Sequence, residues 1–206
     1  MILNQNHLET RENLIRYFTR YLELELAKVN PAFRFFRIES PILFVNDKSA
    51  VRHTTMYAAH VAASNLLEAK TGPKYKLPLV IWEHGKTFQV GKKQTTESYT
   101  LEYNVLYSKS TSTQYMPILV RSWKTMLRKQ CGKIFAADES DTGLSIFAHD
   151  SDTVLLHIQE RSGDVGLSHK VPVCRDIEVV CNLDACTEAN LQFEFGKIRR
   201  GSVDKK

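Results

Sequence analysis

A chain of 206 residues fits one domain with at most a small appendage, and its 43% apolar content is ample for one core. No apolar run approaches the roughly 20 residues of a membrane span, and the N-terminus lacks the basic-then-apolar layout of a secretory signal, so a cytoplasmic protein without a membrane segment is expected. A net charge of +5 and a pI near 9.0 lean toward a polyanionic partner such as RNA.

The first helix is expected over residues 7–29. Asn6 with Glu9 resembles a capping box, and Leu14, Ile15, Phe18, Leu22 and Leu26 make one apolar stripe. Asn30-Pro31 ends it, because proline disfavours helix in the residue before it. Residues 32–45, AFRFFRIESPILFV, read as strand. Pro41 lacks the ladder donor, so that strand should lie at an edge or break there. A polar loop over 46–52 follows. Thr54 or Thr55 then caps an alanine-rich helix over 56–69, which closes at Thr71-Gly72-Pro73.

Residues 79–108 read as strand, basic polar loop and strand. In the second arm Tyr99, Leu101, Tyr103, Val105 and Tyr107 fall on one face and Thr100, Glu102 and Asn104 on the other, the period of a half-buried strand. In the first arm Phe88 and Val90 take one face, Thr87 and Gln89 the other. Paired, the arms would set two polar rows side by side beneath the loop that carries Lys92 and Lys93. A hairpin with one wet face has the same pattern.

A third helix is expected over 114–130, with Pro117 in its first turn, an apolar stripe of Leu119, Trp123, Met126 and Leu127, and Arg121, Lys124, Arg128 and Lys129 on its surface. Strands are expected over 133–137, 144–149 and 154–159, joined by acidic turns at 138–143 and 150–152. A Gly/Ser loop spans 161–170. Residues 177–181 read as a buried strand in which Glu178 needs a partner. A last helix is expected over 187–195, and a basic tail over 197–206. The four cysteines, Cys131, Cys174, Cys181 and Cys186, form no CxxC pair and have no histidine at zinc-finger spacing, so buried thiols are expected and no metal site. No P-loop, GxGxxG, GxSxG or HExxH pattern occurs.

Three places in this order carry a family resemblance. The first helix followed by Phe36-Arg37-Ile38-Glu39-Ser40-Pro41 is similar to motif 1 of class II aminoacyl-tRNA synthetases, nearest to the glycyl, threonyl and histidyl branch. The hairpin from Leu77-Pro78-Leu79 through Lys86-Thr87-Phe88 to Leu101-Glu102-Tyr103 resembles motif 2, in which a strand leads into Phe-Arg-x-Glu and a second strand returns. The stretch Glu178-Val179-Val180-Cys181-Asn182-Leu183-Asp184-Ala185 aligns without gaps on a glycyl-type motif 3.

The resemblance implies an α+β fold, an antiparallel β-sheet flanked by helices, as one core domain over residues 1–196. It implies a homodimer through helix 6–29 and strand 33–45, with tRNA or another RNA as a further partner. It implies ATP with Mg2+, and an aminoacyl-adenylate formed by electrostatic positioning of the phosphates. Carried onto this chain, catalytic roles fall on Gln89 and Glu178. Nucleotide binding falls on Lys86, Gln89, Lys92, Lys93, Tyr99 and Glu102. Amino-acid binding falls on Thr54, Thr55, Glu102 and Glu178.

The chain departs from the family at the phosphate-binding positions. Gln89 stands where motif 2 has its arginine, Gly91 where the following glutamate would be, and Ala185 where motif 3 has its arginine. A glutamine carries no charge, and a charge-assisted bond is roughly twice as strong as a neutral one. Two readings therefore stand: a non-catalytic binding or regulatory relative, and an active but diverged adenylate-forming ligase. A third, independent of the family, is a basic RNA-binding domain using Lys92, Lys93 and the tail.

Overall fold

The structure, a computed structural model, describes residues 5–39, 43–46, 49–51, 56–90, 95–131, 137–148, 152–161 and 174–188. In chain order the elements are α1 (Gln5–Val29), β1 (Arg34–Arg37), β2 (Leu43–Asn46), β3 (Ser49–Val51), α2 (Met56–Glu68), β4 (Leu79–Val90), β5 (Thr95–Ser108), α3 (Tyr115–Cys131), β6 (Ala137–Ser140), β7 (Gly143–Phe147), β8 (Val154–Glu160), β9 (Cys174–Asn182) and α4 (Leu183–Glu188). Seven strands form one sheet in the order β1-β4-β5-β9-β8-β7-β6, and β2 pairs with β3 in a separate ribbon.

The architecture is α+β, but the sheet is mixed rather than wholly antiparallel. β1 runs parallel to β4, with Phe36 beside Ile81, while every other neighbouring pair in this sheet is antiparallel. A parallel pair needs a long crossover, and the chain between β1 and β4 includes α2. As the proline rule anticipates, β1 is an edge strand and the segment expected as one strand is divided into β1 and β2. Pro41 itself lies outside the described residues.

α1 buries the stripe read from its spacing: Leu14, Ile15, Phe18, Leu22 and Leu26 are at most 9% exposed. Its last turn closes through the Asn30 amide donating to the Leu26 carbonyl, and the Asn30 side chain accepts from the Ala32 amide, so the chain turns out of the helix there. The helix starts at Gln5, which places Asn6 inside it rather than at its cap. α2 ends near Gly72, whose φ of 89° is a conformation only glycine adopts without strain. α3 carries Pro117 in its first turn and buries Leu119, Trp123, Met126 and Leu127.

Three boundaries differ from the sequence reading. Ser49–Val51 is a strand inside the expected polar loop, paired with β2. Asp138, Glu139 and Ser140 belong to β6, an exposed outer strand opposite β7, so the turn shrinks to Asp141 and Thr142. α4 begins at Leu183 because the Asn182 side chain accepts from the Ala185 amide and caps the helix. Thr187, expected to start that helix, lies within it and donates its hydroxyl to the Leu183 carbonyl. Cys174, Cys181 and Cys186 are buried and form no disulfide.

The two faces of the sheet are unlike. On one, Leu101, Tyr103, Val105, Val179, Ile158 and Ile146 join residues of α1, α3 and α4 in the main core. Phe18 packs against Trp123 at 5.2 Å between ring centres, and the Tyr21 hydroxyl donates to the Ser122 carbonyl, tying α1 to α3. On the other face a smaller cluster sets Ala59 and Ala63 of α2 against Leu79, Ile81 and Leu106. Beyond that cluster the described residues of the second face are mostly polar. Among the described residues no helix is long and apolar enough to cross a membrane.

Candidate functional site

Residues directly opposite in an antiparallel pair share a face. From the register, one row crosses six strands as Ile81, Asn104, Glu178, Gln159, Gly143 and Ser140. The next crosses six as Glu83, Glu102, Val180, His157, Ser145 and Asp138. Leu106 opposite Asp176 and Thr100 opposite Asn182 flank these rows. The polar alternation of the hairpin therefore continues across the sheet as a floor.

This floor is buried as well as polar: Glu83, Glu102, Asn104, Asp176 and Glu178 are all at most 9% exposed. A buried carboxylate must be hydrogen-bonded or paired. The Thr100 hydroxyl donates to Glu102 at 2.8 Å. Arg161, just beyond β8, reaches Glu178 at 2.9 Å, and its Nε lies 3.6 Å from Asp176 Oδ2. The Arg161 amide also donates to the Asp176 carbonyl, which holds the guanidinium over the floor. His60 of α2 closes this network at 2.8 Å from Asp176 Oδ2. Burial pushes the Glu178 carboxyl above its ordinary range; Arg161 opposes that rise, and the neighbouring Glu102 and Asp176 reinforce it.

Further along, Ser145 lies 2.9 Å from His157 Nδ1, and His157 Nε2 faces Gln159 at 3.4 Å. A histidine that activates a hydroxyl is oriented by a carboxylate at its other nitrogen. Here an amide stands there, so the pair reads as a cross-strand hydrogen bond. Among the described residues no three His, Cys, Asp or Glu side chains are grouped to hold a metal ion. Two grooves of about 410 and 430 Å³ flank α3 and share Arg121 and Thr125 as walls; neither is lined by Glu83, Glu102, Asn104, Asp176 or Glu178.

Of the residues expected at a site, the structure brings Glu102 and Glu178 together on the floor. Gln89 occupies the β4 register position opposite Thr96. Lys86 and Tyr99 are register partners on the opposite, helical face and do not join the floor. Lys86 pairs with Glu97 at 2.6 Å. Tyr99 lies under the Arg11 guanidinium at 3.9 Å, its hydroxyl is hydrogen-bonded to His84, and its amide donates to Asp184. Thr54, Thr55, Lys92 and Lys93 lie outside the described residues. Ala185 is buried in the main core, not on the floor.

The sequence reading missed Glu83, Asp176, Arg161 and His60. Glu83 and Asp176 carried a signal, since each shares the two-residue period of a residue already singled out. Arg161 and His60 carried none, because only the folded chain brings them to Asp176.

No protein-family model matches this chain, and no curated protein matches it.

Proposed function

We propose that this chain is a diverged class II aminoacyl-tRNA synthetase-like core that serves as a non-catalytic binding or regulatory subunit, associated with RNA in the cytoplasm. The observation that carries the reading is the composition of the floor. It keeps Glu102 and Glu178, which the resemblance assigns to ligand contacts. Yet among the described residues it sets four carboxylates (Glu83, Glu102, Asp176 and Glu178) against Arg161, which is already engaged by two of them. A triphosphate needs positive charge around it; carboxylates can hold Mg2+, but the Arg161 guanidinium is already held by Asp176 and Glu178. Gln89 and Ala185, in place of the family's phosphate-gripping arginines, point the same way.

A screen of amino acids for ATP-dependent pyrophosphate exchange tests this directly. No exchange with any amino acid is expected. Robust exchange that disappears in Gln89→Ala would refute the reading.

The alternative is an active ligase that makes an aminoacyl-adenylate. Arg161 favours it, since a guanidinium 2.9 Å from Glu178 could be released to an incoming anion. That reading requires ATP affinity, so calorimetric titration with magnesium that gives no heat of binding would eliminate it. A homodimer through residues 6–29 and 33–45 would engage α1 and the edge strand β1. A second copy is therefore a competing occupant of that side of the sheet.

A further inference from the structure

The helical face is not uniformly closed. α1 crosses it at β5, where Thr19 is hydrogen-bonded to the Tyr103 hydroxyl at 2.8 Å and Arg11 covers Tyr99. Between that helix and the edge strand β1 runs a strip along β4, made of Trp82, His84 and Lys86 with Arg37 on one flank and Tyr99 on the other. Trp82, His84 and Tyr99 are each half-buried rather than sealed, while Arg37 and Lys86 are exposed. The rings form a row, with 6.3 Å between the centres of Trp82 and His84 and 6.0 Å between His84 and Tyr99. Arg37 sits 5.7 Å over Trp82.

We propose that this strip is a docking platform for single-stranded nucleic acid. Unpaired bases stack on aromatic rings and on guanidinium planes whatever their sequence, while neighbouring cations follow the phosphates. The strip offers both, a row of three rings with Arg37 and Lys86 beside it. The charge balance agrees: the chain carries +5 overall, and Glu97, the carboxylate paired with Lys86, is half exposed, where an ion pair is weak enough to be exchanged for phosphate. A duplex hides its base faces and fits this platform poorly. The inference stands on the row of rings and does not depend on the synthetase-like reading.

A decauridine titration of the whole protein tests it. The chain has two tryptophans, and Trp123 is 1% exposed, so quenching of emission reports on Trp82. Saturable quenching is expected, with log affinity falling against log salt at a slope of about −1.4 to −2.1 for two to three phosphate contacts. Measured by anisotropy of labelled decauridine, Trp82→Ala and Arg37→Ala should each weaken binding about 5- to 100-fold. Trp82→Phe should restore most of it, which separates lost stacking from lost folding. Arg121→Ala, on α3, should change nothing.

Three results would overturn the proposal. The first is no binding at low salt. The second is equal affinity for a uridine–adenine duplex, or affinity indifferent to Trp82→Ala. The third is a shift of Trp82 emission with protein concentration alone, which would give the strip to a second copy of the chain.

Discussion

Leu101 and Glu102 are neighbours in one strand and face opposite surroundings. Leu101 is fully buried among α1 and its partners in the main core. Glu102, 3% exposed, is buried beside other acids and held by the Thr100 hydroxyl. Equal burial thus has opposite meanings on the two sides of the sheet. On the helical side it removes apolar surface from water, which stabilises by about 1.5–3 kcal/mol per large side chain. On the floor it costs solvation, which hydrogen bonds and Arg161 offset. A face built at such cost carries no advantage for folding, and this is why the floor, rather than the grooves beside α3, is the candidate site.

Substitutions on the two faces should separate these roles. The largest effect is expected from Leu101→Ala, a loss of about 3 kcal/mol in urea unfolding, from lost transfer energy and a partly collapsed cavity. If it cost under 1 kcal/mol, the core would not lie where the structure places it.

Arg161→Ala should cost about 1–3 kcal/mol at neutral pH, because Glu178 and Asp176 keep their burial and lose a charged partner. The pH dependence has a definite sign. With its carboxyl raised, folded Glu178 holds a proton where the unfolded chain has released it, so its contribution to stability falls as pH rises from the ordinary carboxylate value to the raised one. Removing Arg161 widens that window. The variant's deficit should therefore shrink on acidification toward pH 4.5, read as melting temperature against pH. A deficit that stayed constant would mean that Arg161 acts by packing alone.

Glu102→Gln should change stability by less than about 1 kcal/mol, read in urea unfolding. It keeps an acceptor for Thr100 while removing a charge directly opposite Glu83. A loss as large as that of Leu101→Ala would contradict the contrast between the faces.

Much of this was legible in the sequence. The stripe of α1, the stop at Asn30, the glycine after α2 and the alternation of β5 all follow from rules that act within a few residues. Alternation alone also separates Tyr99 from Glu102, so the sequence already held the reason why Tyr99 does not join the floor. The boundary at α4 was harder, because Asn182 ends a strand and caps a helix in one step, and the cap outweighs the later threonine.

The composition of the floor was not legible. Asn104 stands beside Glu178 because β5 and β9 pair, and the sheet order decides that. Arg161 meets Asp176 and Glu178 from a distant position in the sequence, and His60 arrives from a helix far back in the chain.

By itself, the sequence determined which residues of each strand share a side, because side-chain direction along a strand has a local period of two. Only the tertiary structure decided which strands lie together, which side the helices cover, and so which buried acids become neighbours. Those choices rest on contacts between distant segments, where packing and charge compensation act together and no local period records the outcome.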